Sequence, residues 1–221
     1  MQVTPVSKTR PSVGMPISIL NYTHFYRPEL TQLRQKSAPT PSTTRSHRMP
    51  CNAVAAPTEA PVLPFRVGHG WDLHRLEPGY PLIIGGIDIP HDRGCVAHSD
   101  GDVLLHTVVD AILGALSLPD IGQLFPDNDP KWKGARSDIF LKEAVRLMQE
   151  HGYAIGNIDC TIIAQRPKLS PHKETIRENL CTLLGAHPSV VNIKAKTHEK
   201  VDSLGENRSI SCHAVVILLR Q

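Results

Sequence analysis

Asp72 and His74 stand two residues apart in a run, 65–76, that reads as a β-strand. A period of two points both side chains to one face. His106 follows on a long apolar helical pattern. One carboxylate and two imidazoles can hold a tetrahedral divalent metal and leave a fourth position open, the arrangement of a catalytic zinc. Asp-x-His alone fits a strand-edge ion pair equally well, so the neighbours matter. His98, Ser99, Asp100 and Asp102 crowd the start of the helix that carries His106. A helix N-terminus there offers N–H groups and a positive dipole end to an anion. Asp102 lies one turn before His106 and Asp110 one turn after, so either can serve as the outer carboxylate that orients the imidazole. Asp102 also suits the acidic partner of a capping box begun by Ser99.

Three further groups have chemical character. Asp120, Gly122, Asp127 and Asp129 fall in a turn-rich segment, 119–132, where carboxylates can accept from sugar hydroxyls or simply shape turns. Pro167-Lys168-Leu169-Ser170 leads into a helix N-terminus, another anion site. Lys196-Thr197-His198-Glu199-Lys200 follows a strand, and Glu199 can hold a hard cation such as Mg²⁺ against phosphate oxygens. A charged turn explains either of these two segments taken alone. No Gly-x-Gly-x-x-Gly opens a helix and no Gly-x-x-x-x-Gly-Lys-Ser/Thr occurs, which removes the dinucleotide and P-loop readings.

Positioning these residues requires strands at 65–76 and 82–89, with a turn at 77–81 and a loop at 94–99. Helices follow: one from the Ser99 cap through Leu118, and one over 137–151 whose apolar face is Ile139, Leu141, Val145, Leu147 and Met148. A strand at 155–165 precedes a helix capped by Ser170, with Pro171 at its first position and Gly185 at its end. Strands at 190–196 and 210–219 close the chain, the last apolar without alternation and so expected to be buried on both faces. The order β-β-α-α-β-α-β-β predicts an α+β fold with a single sheet and helices packed on one face.

The chain of 221 residues divides by composition. Residues 1–64 hold ten of the 19 prolines, fourteen Ser or Thr, seven basic residues and two acids. Basic, hydroxyl-rich and acid-poor is the composition of a transit peptide, with processing near Cys51 or Ala53. A disordered regulatory tail is the other reading. Residues 65–221 carry 17 basic and 19 acidic residues, so the formal +3 belongs to the extension and gives no basis for nucleic-acid binding. No window is apolar enough for a membrane span. Five scattered cysteines without a CxxC pair argue against a disulfide framework, and Cys160, Cys181 and Cys212 read as buried thiols.

Several long stretches resemble the 2-C-methyl-D-erythritol 2,4-cyclodiphosphate synthase family. They are Gly68-His69-Gly70-Trp71-Asp72-Leu73-His74, Ala97-His98-Ser99-Asp100-Gly101-Asp102-Val103 with His106, and Asp120-Ile121-Gly122-Gln123-Leu124-Phe125-Pro126-Asp127. Thr161-Ile162-Ile163-Ala164-Gln165 with Pro167-Lys168, and Lys194-Ala195 with Thr197 and Glu199-Lys200, continue the match. It spans 65–220, and the N-terminal segment resembles the plastid-targeting extension of plant members. The resemblance implies a homotrimer with active sites between subunits. It implies Zn²⁺ on Asp72, His74 and His106, and a second ion, Mg²⁺ or Mn²⁺, held with help from Glu199. The implied substrate is a CDP-linked methylerythritol 2-phosphate that cyclises with loss of CMP. His98 and Ser99 would meet its methylerythritol phosphate. Asp120 and Gly122 would bind the ribose or the methylerythritol, with Phe125 and Asp127 in the same stretch. Ala164, Pro167, Lys168, Leu169, Ala195 and Thr197 would surround the cytidine diphosphate, and Lys196 and Thr197 would act with Glu199. The chain departs from the commonest bacterial pattern at Lys196, His198, Asp202–Ser209 and His213. A zinc-dependent phosphohydrolase and a non-catalytic metal- or nucleotide-binding module are the alternatives.

Overall fold

The computed structural model describes residue 59 and residues 61–221. The extension, with its proposed processing region at Cys51 and Ala53, lies almost wholly outside the described residues. Strand β1 (Phe65–Pro78) alternates from Phe65 through Leu76: Gly68, Gly70 and Leu76 are buried while Phe65, Val67, Trp71 and Leu73 are exposed. The 82–89 segment is not one strand. Gly85 and Gly86 both take positive φ, 61° and 77°. They fold it into a small ribbon of β2 (Ile83–Ile84) and β3 (Ile87–Asp88), separate from the main sheet. A Gly-Gly pair is the hairpin signal that accounts for the split. Part of the expected loop at 94–99 is instead β4 (Arg93–Val96), the antiparallel neighbour of β1.

Next come α1 (Val103–Leu116), a one-turn α2 (Ile121–Leu124) and α3 (Asp138–Glu150). Then follow β5 (Tyr153–Ile163), α4 (Lys173–Leu184), β6 (Val191–Lys196) and β7 (Ser209–Arg220). The main sheet runs β4-β1-β7-β5-β6, antiparallel except for the β5–β6 pair. The fold is therefore α+β, with a central five-stranded sheet and a two-stranded ribbon beside it.

Eleven of the fourteen α1 residues are buried, as befits a helix that is apolar on nearly every side. It lies directly on β1 and β7. On α3 the buried stripe is Phe140, Leu141, Ala144 and Met148, and Ile139 is exposed, so the apolar face is turned by one residue from the expected one. Helix α4 begins at Lys173 behind His172, with no side-chain cap, so Ser170 does not cap it and Pro171 is not its first residue. Gly185 does end it, in the left-handed region. Strand β7 buries Val216 and Leu218 but exposes Val215 and Leu219. Ser209–Cys212 are buried on both faces, and from His213 onward the outer face is left partly or fully open within one chain. Cys95, Cys160, Cys181 and Cys212 are free and buried, and burial pushes the Cys95 and Cys160 thiols up to about 12. No helix among the described residues is long and apolar enough to cross a membrane.

Asp102, not Ser99, caps α1. Its fully buried carboxylate accepts from Leu105 N–H at 3.0 Å, Gly85 N–H at 2.9 Å and Gly86 N–H at 2.5 Å. One side chain thus ties the ribbon turn to the helix. Burial raises its pKa to about 6 against the pull of those three N–H groups. Asp102→Asn keeps the shape but turns an NH₂ toward a backbone N–H. An unfolding free energy lower by about 2 kcal/mol is expected in urea titrations, and an unchanged value would show that the clamp is not needed.

Candidate metal centre and adjoining clefts

Packing at two glycines makes the site possible. A Cβ on Gly70 would lie 1.9 Å from the Thr107 carbonyl oxygen, and one on Gly68 would lie 1.8 Å from that of Ala111. Without side chains there, the α1 backbone rests on β1, and His106 comes down beside Asp72 and His74. Those two share the inward face of β1, as the period of two requires.

The three ligand atoms form a near-equilateral triangle. His74 Nε2 and His106 Nδ1 are 3.1 Å apart, and each is 3.2 Å from Asp72 Oδ2. Corners of a tetrahedron around a zinc ion with bonds of about 2.0–2.1 Å are about 3.3 Å apart, so the donor set fits such an ion in both type and spacing. Among the described residues these three are the metal-ligand group that comes together. Leu73 N–H holds Asp72 Oδ1 at 2.7 Å and leaves Oδ2 to the triangle. Burial alone would raise the Asp72 pKa, but the His106 and His74 imidazoles and the Leu73 N–H outweigh it, and the carboxyl sits below its usual value. Burial lowers the His74 pKa despite Asp72, which favours the neutral imidazole a metal needs.

The expected outer carboxylates do something else. Asp102 is spent on the ribbon clamp, and Asp110 accepts from Ile121 N–H at 2.8 Å, fixing the start of α2. The His106 ring is instead met at Nε2 by the hydroxyls of Ser137 at 2.8 Å and Ser99 at 3.1 Å. Ser137 was legible only as the start of α3. At the α1 N-terminus, the Leu105 N–H is satisfied by Asp102, so the chain's own carboxylate takes a group that seemed free for an anion.

Above the triangle opens a cavity of about 380 Å³ lined by residues that include His98, Ser99, Gly122, Phe125 and Asp127. Phe125, Trp132 and Phe140 form its aromatic wall, with ring centroids 4.6–5.5 Å apart. Trp132 and Phe140 had no distinguishing sequence signal beyond apolarity. His98 Nε2 lies 3.3 Å from the Asp129 carbonyl oxygen. Asp120 does not line the cavity; it caps α2 through Gln123 N–H at 2.9 Å, in a capping box.

A different cleft, of about 310 Å³, gathers Ala164, Pro167, Lys168, Leu169, Ala195, Lys196 and Thr197. Gln165, which also lines it, has a buried side-chain oxygen without a hydrogen-bond partner among the described residues. Glu199 accepts from the Thr197 hydroxyl at 3.0 Å and stays apart from the metal triangle. Within one chain, then, the two sets of candidate residues line separate cavities.

A chloroplastic 2-C-methyl-D-erythritol 2,4-cyclodiphosphate synthase of Oryza sativa subsp. japonica is 70% identical over 195 residues, 88% of this chain and 86% of that one. Its counterpart in Arabidopsis thaliana is 75% identical over 169 residues, 76% and 73% of the two chains. A Plasmodium falciparum structure described as an IspF CDP complex matches with a TM-score of 0.63 at 39% identity, over 71% of this chain and 97% of that one. The YgbB family model matches residues 65–219, and the chain belongs to the YgbB family.

Proposed function

We infer that the chain is a metal-dependent phosphorus–oxygen lyase. It converts 4-diphosphocytidyl-2-C-methyl-D-erythritol 2-phosphate to 2-C-methyl-D-erythritol 2,4-cyclodiphosphate and CMP in the non-mevalonate isoprenoid pathway. One observation carries this reading: the Asp72–His74–His106 triangle lies under an open cavity, in a chain 70–75% identical to plant synthases of that name.

A 2-phosphate oxygen attacks the β-phosphorus, and the bond from that phosphorus to the bridging oxygen breaks. CMP leaves with the bridging oxygen, and no water is consumed. Both partners are anionic, so neutralisation and in-line positioning supply most of the catalysis. Asp72, His74 and His106 would hold a zinc ion, which would supply positive charge to phosphate oxygens. Ser99 Oγ accepts from Gly101 N–H at 3.2 Å and keeps its own proton for a phosphate. His98 lies beside it on the cavity wall. Gly122, Phe125 and Asp127 bound the space for the methylerythritol, with Asp120 at its margin on α2. In the second cleft, Lys168 and Lys196 face the cytidine diphosphate among Ala164, Pro167, Leu169, Ala195 and Thr197. Glu199, beside Thr197, would help hold the second ion, Mg²⁺ or Mn²⁺.

A homotrimer with sites shared between subunits accounts for the separation of the two cavities within one chain. The outward sheet face, with Phe65, Val67, Trp71, Leu73, Val215 and Leu219 exposed, is the apolar surface such an assembly would cover. Residues 1–64 comprise the transit peptide and a linker, residues 65–221 the catalytic domain, and the plastid is the destination, in keeping with the chloroplastic plant relatives.

Turnover in ¹⁸O-labelled water separates this reading from a zinc phosphohydrolase. Cyclisation predicts CMP and a cyclic diphosphate free of label. Label in the phosphate products would establish hydrolysis instead.

A further inference from the structure

We propose that Asp100 and Ser137 form a positioning relay that fixes the tautomer of His106 and thereby holds its Nδ1 ready as a metal ligand. Ser137 immediately precedes α3, where a serine ordinarily turns its oxygen onto the first N–H groups of the helix. It makes no such bond here. The side chain is wholly buried and spans two other segments instead. Its hydroxyl donates to Asp100 Oδ1, and its oxygen stands 2.8 Å from His106 Nε2. Asp100 Oδ2 also accepts the Ser137 backbone N–H at 3.0 Å, so the carboxylate grips this residue twice.

The proton count gives the direction. A hydroxyl has one proton, and Ser137 commits it to a carboxylate. Its oxygen then faces Nε2 only as an acceptor, so Nε2 carries a ring proton, and on the neutral ring that a metal requires Nδ1 keeps its lone pair. Nδ1 is the atom that completes the triangle with Asp72 and His74. Ser99 Oγ, 3.1 Å from the same Nε2, is compatible as a second acceptor. Helix α3 therefore forgoes a cap, and the hydroxyl is spent on an imidazole of the site. The inference rests on the metal reading of the triad and adds the residues that prepare it.

The test is zinc affinity, measured on the full chain by competition with a chromophoric chelator. Ser137→Ala is expected to bind zinc about 10–100-fold more weakly, and Ser137→Thr, which restores a hydroxyl, to recover most of that loss. Undiminished affinity in folded Ser137→Ala overturns the relay. A wild-type chain without zinc affinity overturns the metal reading itself, and that result needs no variant. Nitrogen-15 NMR of His106 in the metal-free wild type provides a check independent of any variant's folding. The Nε2–H tautomer is expected; an Nδ1–H tautomer overturns the proposal.

Discussion

Asp72→Ala is expected to lose zinc and turnover together, with turnover down by at least about 10³-fold. The magnitude follows from a metal that contributes several kcal/mol of charge stabilisation, at about 1.4 kcal/mol per tenfold in rate. Asp72 supplies one corner of the triangle and its sole anionic ligand, so two neutral imidazoles would remain. The fold should survive. The Asp72 backbone oxygen, which accepts from Ser211 Oγ at 2.7 Å, is untouched by the substitution, and its carboxylate otherwise bonds the adjacent Leu73 N–H. His74→Ala should behave alike. Metal content, circular dichroism and CMP release on the same sample check the expectation; a folded Asp72→Ala protein with full activity in the rigorous absence of zinc would sink it.

Gly70→Ala is expected to have the largest effect on folding. The added Cβ would meet the Thr107 carbonyl oxygen at 1.9 Å and Ala111 N at 2.9 Å. Both are helix backbone atoms, so no side-chain rotation relieves the clash. Helix α1 must lift from β1, opening a core that it fills on nearly every side and carrying His106 away from Asp72 and His74. Overpacking typically costs about 1–3 kcal/mol; rigid backbone on both sides puts this case at about 3 kcal/mol or more, with weakened zinc binding in whatever remains folded. Gly114→Ala is the matched control on α1. Its Cβ would meet nothing nearer than the His69 carbonyl oxygen at 3.8 Å, an ordinary contact. Helix propensity then predicts a gain of about 0.5–1 kcal/mol. Urea unfolding of the two variants should move in opposite directions, and a neutral Gly70→Ala would show that α1 does not depend on this close approach.

The metal triad was legible because its logic is local. A spacing of two on a strand fixes Asp72 and His74 on one face, and an apolar helix must bring His106 over that face. The long elements were legible for the same reason, through periodicity and through end signals such as Gly185. What escaped the sequence depends on tertiary partners. Ser99 read as the N-cap of α1 with Asp102 as its acidic partner, and the ribbon turn at Gly85–Gly86, packed against α1, makes Asp102 the cap instead. Asp110 had the spacing of an outer carboxylate, but the start of α2 claims it. Ser137 looked like a helix start, and Asp100 and His106 draw its hydroxyl elsewhere. The 82–89 run read as one strand because its apolar residues hid two glycines that reverse the chain. Strand β7 looked buried on both faces, whereas within one chain Val215 and Leu219 face outward; burial of that face would require another chain.

Turnover against zinc equivalents tests the central claim most directly. The protein is stripped with chelator and its metal content measured. Zinc is then returned stepwise with Mg²⁺ present throughout, and cyclic diphosphate is followed by phosphorus NMR. The account predicts no cyclic product from the stripped protein, and a yield that rises linearly and levels at one zinc per Asp72–His74–His106 site. Full cyclisation by the stripped protein would contradict it.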